Sequence, residues 1–255
     1  MSDLSRRVLV TGANRGLGEA IARGLDTLGH RTVLVGRDEA ALTRLARELS
    51  SAQVMAQDLA ETEQLAALVE TAASKLGGLD GLVNNAGVIE PMGTLDQLEP
   101  AAWERAMRIN LSAPAMLMAA ALPYLRRSSA GRIVNISSGA AVKPTPGWGA
   151  YCTAKAGLLA LASVVAAEEK EVACFSLRPG VIDTGMQQEI RESHAMPKAA
   201  HARFLDLHQQ GKLEPAEVPA KAAIWLLLHG PVERSGELIE YTDAKVQAGV
   251  AKLFS

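Results

Sequence analysis

Tyr151 and Lys155 stand four residues apart in a stretch that reads as the N-terminal part of a helix, so their side chains share one face. An ammonium beside a phenol favours the phenolate and draws the tyrosine pKa from about 10 toward neutrality, which suits a general acid or base. Ser138 follows the predicted strand Arg132–Ile136, and the carboxyl edge of a parallel sheet is where ligands bind, so its hydroxyl could hold a substrate oxygen. A tyrosine and a lysine at helical spacing arise often by chance. The elements around them decide whether they meet.

Short aliphatic runs at residues 8–11, 32–35, 53–56, 81–83, 132–136 and 172–177 alternate with helical patterns. This alternation predicts βαβ units and a doubly wound α/β fold of Rossmann type, a parallel sheet between two helical layers. Residues 40–49 place Leu42, Leu45 and Leu49 on one face, with Asp38 where an N-cap would sit, and residues 60–76 repeat the pattern. The segment 153–168 is apolar on nearly every side, which predicts packing on both the sheet and a second subunit. With the uncharged stretch 109–125 it suggests a homodimer or homotetramer. No linker or repeat divides residues 1–255, so one domain is expected, with 184–213 reading as a lid over a site.

After the first strand comes Thr11-Gly12-Ala13-Asn14-Arg15-Gly16-Leu17-Gly18, then an amphipathic helix. Glycines there permit a tight turn, backbone approach to a pyrophosphate and close helix packing, with the helix N-terminus facing the anion. About 20 residues on, an NAD-preferring site offers an acid to the ribose. Here the second strand ends in Gly36-Arg37. Arg37, with Arg15, could hold a 2′-phosphate, which favours NADP (as NADPH). The alternative leaves Arg37 solvated and assigns Asp38 to NAD.

Thr11-Gly12-x-x-x-Gly16-x-Gly18, Asn84-Asn85-Ala86-Gly87, Asn110, Ser138, Tyr151-x-x-x-Lys155 and Pro179-Gly180 together resemble the short-chain dehydrogenase/reductase family over roughly residues 6–240. The resemblance implies that Tyr151 protonates a carbonyl oxygen as hydride arrives, that Lys155 lowers the tyrosine pKa and holds the ribose, and that Ser138 steadies the carbonyl. It implies a proton relay through the backbone of Asn110. It also implies cofactor contacts from Gly12, Asn14, Arg15, Gly16, Leu17, Gly18, Arg37, Asp58, Leu59, Asn85, Gly87, Pro179, Gly180, Ile182 and Thr184, with Asn84 structural. The C-terminal part, with Gly147-Trp148 through Lys155, Asp183-Thr184-Gly185-Met186 and a final strand at Ser235-Gly236, resembles sepiapterin reductases and the related benzil reductases. That points to Trp148, Met186 and Asp243 as substrate contacts, and to a vicinal dicarbonyl or sepiapterin-like ketone as the small-molecule substrate. Elsewhere in the family stand 3-oxoacyl thioester reductases and secondary-alcohol dehydrogenases. A non-catalytic NADP-sensing module is a further alternative.

Composition narrows the field. With 26 Lys+Arg against 28 Asp+Glu, the formal charge of −2 gives no field to attract a nucleic acid or an anionic membrane. The stretch 109–125 is interrupted by Pro114 and Pro123 and is too short to span a bilayer. Two cysteines, Cys152 and Cys174, and no basic, apolar leader in residues 1–7 point to the cytoplasm. No metal is required: His194, His201 and His208 recur every seven residues, roughly 10 Å of rise on a helix, and read as one face of the lid. Glu168-Glu169-Lys170-Glu171 reads as a solvated helix end.

Overall fold

Val8, Leu9 and Val10 are all fully buried, as a strand covered on both faces requires. They form the middle of β1 (Arg7–Thr11), which lies between β2 (Arg31–Gly36) and β4 (Gly81–Asn84). The computed structural model describes residues 5–255, so residues 1–4, on which part of the leader expectation falls, lie outside the described residues. With β3 (Ala52–Ala56), β5 (Arg132–Ile136), β6 (Ala173–Arg178) and β7 (Leu238–Glu240), the strands form one parallel sheet in the order β3-β2-β1-β4-β5-β6-β7. The expected doubly wound α/β fold is present.

The helices are α1 (Gly16–Thr27), α2 (Glu39–Glu48), α3 (Leu65–Leu76), α4 (Pro100–Met107), α5 (Ala113–Leu125), α6 (Gly149–Glu168), α7 (Gly185–Glu192), α8 (Lys198–Gln209), α9 (Glu217–His229) and α10 (Ala244–Leu253). Alternate strand residues face opposite layers. Val8, Val10, Val134 and Phe175 pack with α1, α2 and α9, whereas Leu9, Ile133 and Cys174 pack with α3, α5 and α6. Asp38 caps α2 as expected, accepting from the Ala41 N–H at 2.9 Å.

Local differences have local causes. The helix expected at 60–76 begins as a tight turn, Thr62–Gln64, and becomes α3 only at Leu65, because the Asp58 carboxylate ties down the Ala60 N–H and Leu59 is buried. The last strand is Leu238–Glu240, since Gly236 takes a left-handed φ of 85° that a strand cannot hold. Glu169 is not solvated. It is buried and paired with Arg126, which holds its carboxyl below the usual range.

Helix α6 buries Ala154, Leu158, Ala162 and Val165 under the sheet, but Val164 on its other side is half exposed in the single chain. By length and composition it is also the one helix among the described residues apolar enough to cross a membrane. One face packs under the sheet, and the remaining apolar side is open in the single chain.

Candidate active site

In this strand order the connections from β1 and β4 leave in opposite directions, and such a reversal opens a crevice beyond the strand ends. One hydroxyl closes its floor. Thr11 Oγ1 donates to the Val83 carbonyl at 3.2 Å and accepts from the N–H groups of Asn85 and Ala86 at 3.0 and 3.1 Å. The Asn85 amide donates to the carbonyls of Thr11 and Gly12 at 2.9 and 3.1 Å. The Gly-rich turn is thereby clamped to the end of β4.

Gly12 and Gly16 have φ of 63° and 56°, the left-handed region, and α1 starts at Gly16 with no side chain capping it. Its first N–H groups face the crevice, which suits an anion. Gly18 does not line the crevice. An added Cβ there would sit 2.2 Å from the Gly12 carbonyl oxygen, so this glycine lets α1 press against the turn. Its expected cofactor contact becomes a packing role.

A cleft of about 860 Å³ runs from this turn to the lid. At one end it is lined by Asn14, Arg15, Gly16, Leu17, Arg37, Asp58 and Leu59, with Gly12, Asn85 and Gly87 beside them. Arg37 is exposed at the end of β2. Asp58 opposes burial through a hydrogen bond from Arg105 at 2.8 Å, the Ala60 N–H and the nearby charges of Arg105 and Arg37, and its carboxyl lies below its ordinary value. Arg15 pairs loosely with Glu189 of α7 at 3.5 Å. The donor set of backbone N–H groups and two arginines fits a phosphorylated dinucleotide.

The other end holds the proposed chemistry. Ser138 Oγ accepts from the Ala140 N–H at 3.1 Å, which starts a short turn, Gly139–Ala141, and lets β5 deliver the hydroxyl to the cleft. Tyr151 and Lys155 both lie on the inner face of α6, 7% and 3% exposed. The Ser138 side chain lies close enough to the Tyr151 hydroxyl to influence its titration. The Lys155 ammonium donates to the Ile136 carbonyl at 2.7 Å and lies 5.6 Å from the Tyr151 ring centroid.

Burial pushes the Tyr151 phenol up to about 12, only partly offset by the nearby Ser138 hydroxyl, and pushes Lys155 down to about 8. This reverses the expected drift of the tyrosine toward neutrality. Desolvation penalises phenolate and ammonium alike, and the lysine directs its hydrogen bond to a backbone carbonyl. Tyr151 is thereby held in its neutral, protonated form.

Around it lies an aromatic wall. The Trp148 ring meets Tyr151 edge-on at 5.7 Å and stacks on Phe204 at 4.9 Å. Ile89, Met186 and Ile190 extend this apolar surface, and Lys143 and Arg203 line the mouth. Pro179, Gly180, Ile182 and Thr184 line the cleft where β6 ends. The lid consists of α7 and α8, separated at residues 193–197, so His194 does not share a helix with His201 and His208. His201 Nε2 bonds the Arg191 carbonyl at 2.9 Å and helps hold α8 on α7. Phe204, Ile190 and Gln187 were not distinguishable in sequence from ordinary helical core residues.

Two further residues sit away from the cleft. Asn110, 1% exposed, spends its amide on Val88, accepting from the N–H at 2.9 Å and donating to the carbonyl at 2.8 Å. It lies in a π-turn, Arg108–Ser112, whose widened backbone leaves any relay to main-chain atoms. Asp243 accepts from Lys245 and Val246 N–H groups at the start of α10 and takes two bonds from Arg234, both 3.1 Å. Its expected substrate contact has no support in this geometry, because the carboxylate is used by the helix cap and the arginine.

Comparisons with known proteins agree with this architecture. Residues 6–195 match the family model described as short chain dehydrogenase. A benzil reductase, (S)-benzoin forming, of Saccharomyces cerevisiae is 35% identical over 95% of this chain and 98% of its own length. The sepiapterin reductase of Meriones unguiculatus is 34% identical over 92% of this chain and 95% of its own. A crystal structure of a short chain dehydrogenase/reductase from Saccharomyces cerevisiae superposes with a TM-score of 0.91 at 33% identity, covering 96% of this chain and 99% of that one.

Proposed function

Because the chain belongs to the short-chain dehydrogenase/reductase family and is an oxidoreductase acting on CH–OH and C=O groups, we propose that it is an NADPH-dependent reductase of vicinal dicarbonyls or sepiapterin-like ketones. The carrying observation is the buried Tyr151, lining the cleft with Ser138 and walled by Trp148 and Phe204, at one end of a cleft whose other end bears Arg37 and the Gly-rich turn. A reduced nicotinamide supplies the hydride when bound. Ser138 holds the substrate carbonyl oxygen, and Tyr151 gives that oxygen its proton. Lys155, fixed by Ile136, holds the ribose hydroxyls in this reading and restores the tyrosine proton. Arg37 and Arg15 hold the 2′-phosphate, while Asp38 is occupied by its helix cap.

The half-exposed Val164 on α6 and Met116 on α5 support assembly as a homodimer or homotetramer through these helices. Both cysteines are unpaired, which accords with a reducing, cytoplasmic setting. The test is the loss of reduced-nicotinamide absorbance with NADPH or NADH and benzil, isatin, sepiapterin or an acetoacetyl thioester. Turnover of a diketone or sepiapterin with NADPH preferred is expected. Turnover of the thioester alone would move the enzyme to the 3-oxoacyl branch, and cofactor binding with no turnover would favour the sensing module.

A further inference from the structure

Gln187, in the first turn of α7, is 6% exposed, and its side-chain oxygen Oε1 is buried without a hydrogen-bond partner. An amide oxygen shut from water and left unpaired loses the hydrogen bonds that water gave it. When such an atom belongs to the wall of a cleft, a ligand donor is the group that would satisfy it. Helical spacing puts Gln187 on the face of α7 that carries Ile190, three residues on. Ile190 packs in the apolar cluster with Trp148, Tyr151 and Phe204, and both α7 residues line the cleft. The two carboxylates of the lining, Asp38 and Asp58, stand beyond β2 and β3 at the opposite end. Near Tyr151 the Ser138 hydroxyl accepts from the Ala140 N–H. Two buried oxygens of the lining have no partner, Ser137 Oγ and Gln187 Oε1, and of these only the amide oxygen is an obligate acceptor.

We propose that Gln187 is a specificity-determining residue that selects ketones bearing an N–H or O–H two bonds from the reacting carbonyl carbon, by accepting that hydrogen bond at Oε1. This rests on the carbonyl-reductase reading above and adds the substrate class. A site built to receive a donor rejects an analogue that lacks it, because the buried acceptor then stays unpaired. A purely apolar dicarbonyl fits the aromatic wall but leaves the amide unanswered.

Isatin and N-methylisatin carry the same dicarbonyl and differ at the neighbouring nitrogen, which has a hydrogen in one and a methyl in the other. Calorimetric titration of both into the full-length protein with NADP+ present, for wild type, Gln187→Met and Gln187→Glu, isolates the contact. The wild type is expected to bind isatin about tenfold more tightly than its methylated analogue. Gln187→Met, of similar volume but with no oxygen, should shrink that ratio several-fold with NADP+ affinity unchanged, and Gln187→Glu should keep it. Equal ratios in wild type and Gln187→Met, or no preference in the wild type, would overturn the assignment. So would a loss confined to NADP+ affinity, which would give Oε1 to the nicotinamide carboxamide. Selective binding of isatin without its reduction would sink the reductase reading while leaving the contact at Gln187 standing.

Discussion

The ammonium of Lys155 donates to the Ile136 carbonyl at 2.7 Å while the Tyr151 ring centroid lies 5.6 Å away, so strand β5 and helix α6 are joined at the point where the tyrosine hydroxyl meets the cleft. The lysine is thus a brace before it is a proton partner. Its burial lowers its pKa to about 8 from the 10.5 of an exposed lysine. Between those values the unfolded chain binds more protons than the fold, so this group makes stability rise with pH over that window and leaves it flat below. Urea midpoints measured from pH 7 to 10 should climb more steeply in the wild type than in Lys155→Met. Parallel profiles would mean that the ammonium is better solvated than its position implies.

Tyr151→Phe removes the proton donor and keeps the ring against Trp148. The expected result is a fall in kcat of about 10²–10⁴, the usual contribution of a positioned acid, with the melting temperature nearly unchanged. Steady-state rates beside a thermal melt check it. A loss of folding instead would make the Tyr151 hydroxyl a structural group.

Arg37→Ala should erase the preference for NADPH over NADH. A charged hydrogen bond contributes about 1.5–3 kcal/mol, so the ratio of kcat/KM for the two cofactors should drop roughly 10–100-fold. If the ratio holds in Arg37→Ala and falls in Arg15→Ala, the phosphate contact belongs to the Gly-rich turn alone.

Asp243→Ala removes a helix cap and the partner of Arg234. A loss of about 1 kcal/mol in stability is expected, with KM and kcat unaltered. A large rise in KM for a pterin substrate alone would return Asp243 to the substrate site.

Gly18→Ala puts a methyl 2.2 Å from the Gly12 carbonyl oxygen, against backbone that cannot rotate away. Overpacking of this kind costs about 1–3 kcal/mol, and α1 must shift. Denaturation should show the loss, and NADPH affinity measured by fluorescence should fall with it because the anion-facing helix end has moved.

Sequence alone determined what depends on local chemistry. Buried β-branched runs must become covered strands, Asp38 must cap where an N–H is orphaned, glycines must sit where φ is positive, and a tyrosine and a lysine four apart on a helix must share a face. Such features are fixed by neighbours within a few residues, which is why strand positions and the Gly-rich turn were legible, whereas the Ser138, Tyr151 and Lys155 trio was read from the resemblance to the family. Tertiary structure decided what depends on distant partners. It showed that burial raises the Tyr151 phenol, that Asp243 serves Arg234, that Asn110 spends its amide on Val88, and that Phe204 of α8 stacks on Trp148. Desolvation, ion pairing and stacking each require groups brought together from across the chain, and no spacing along it records them.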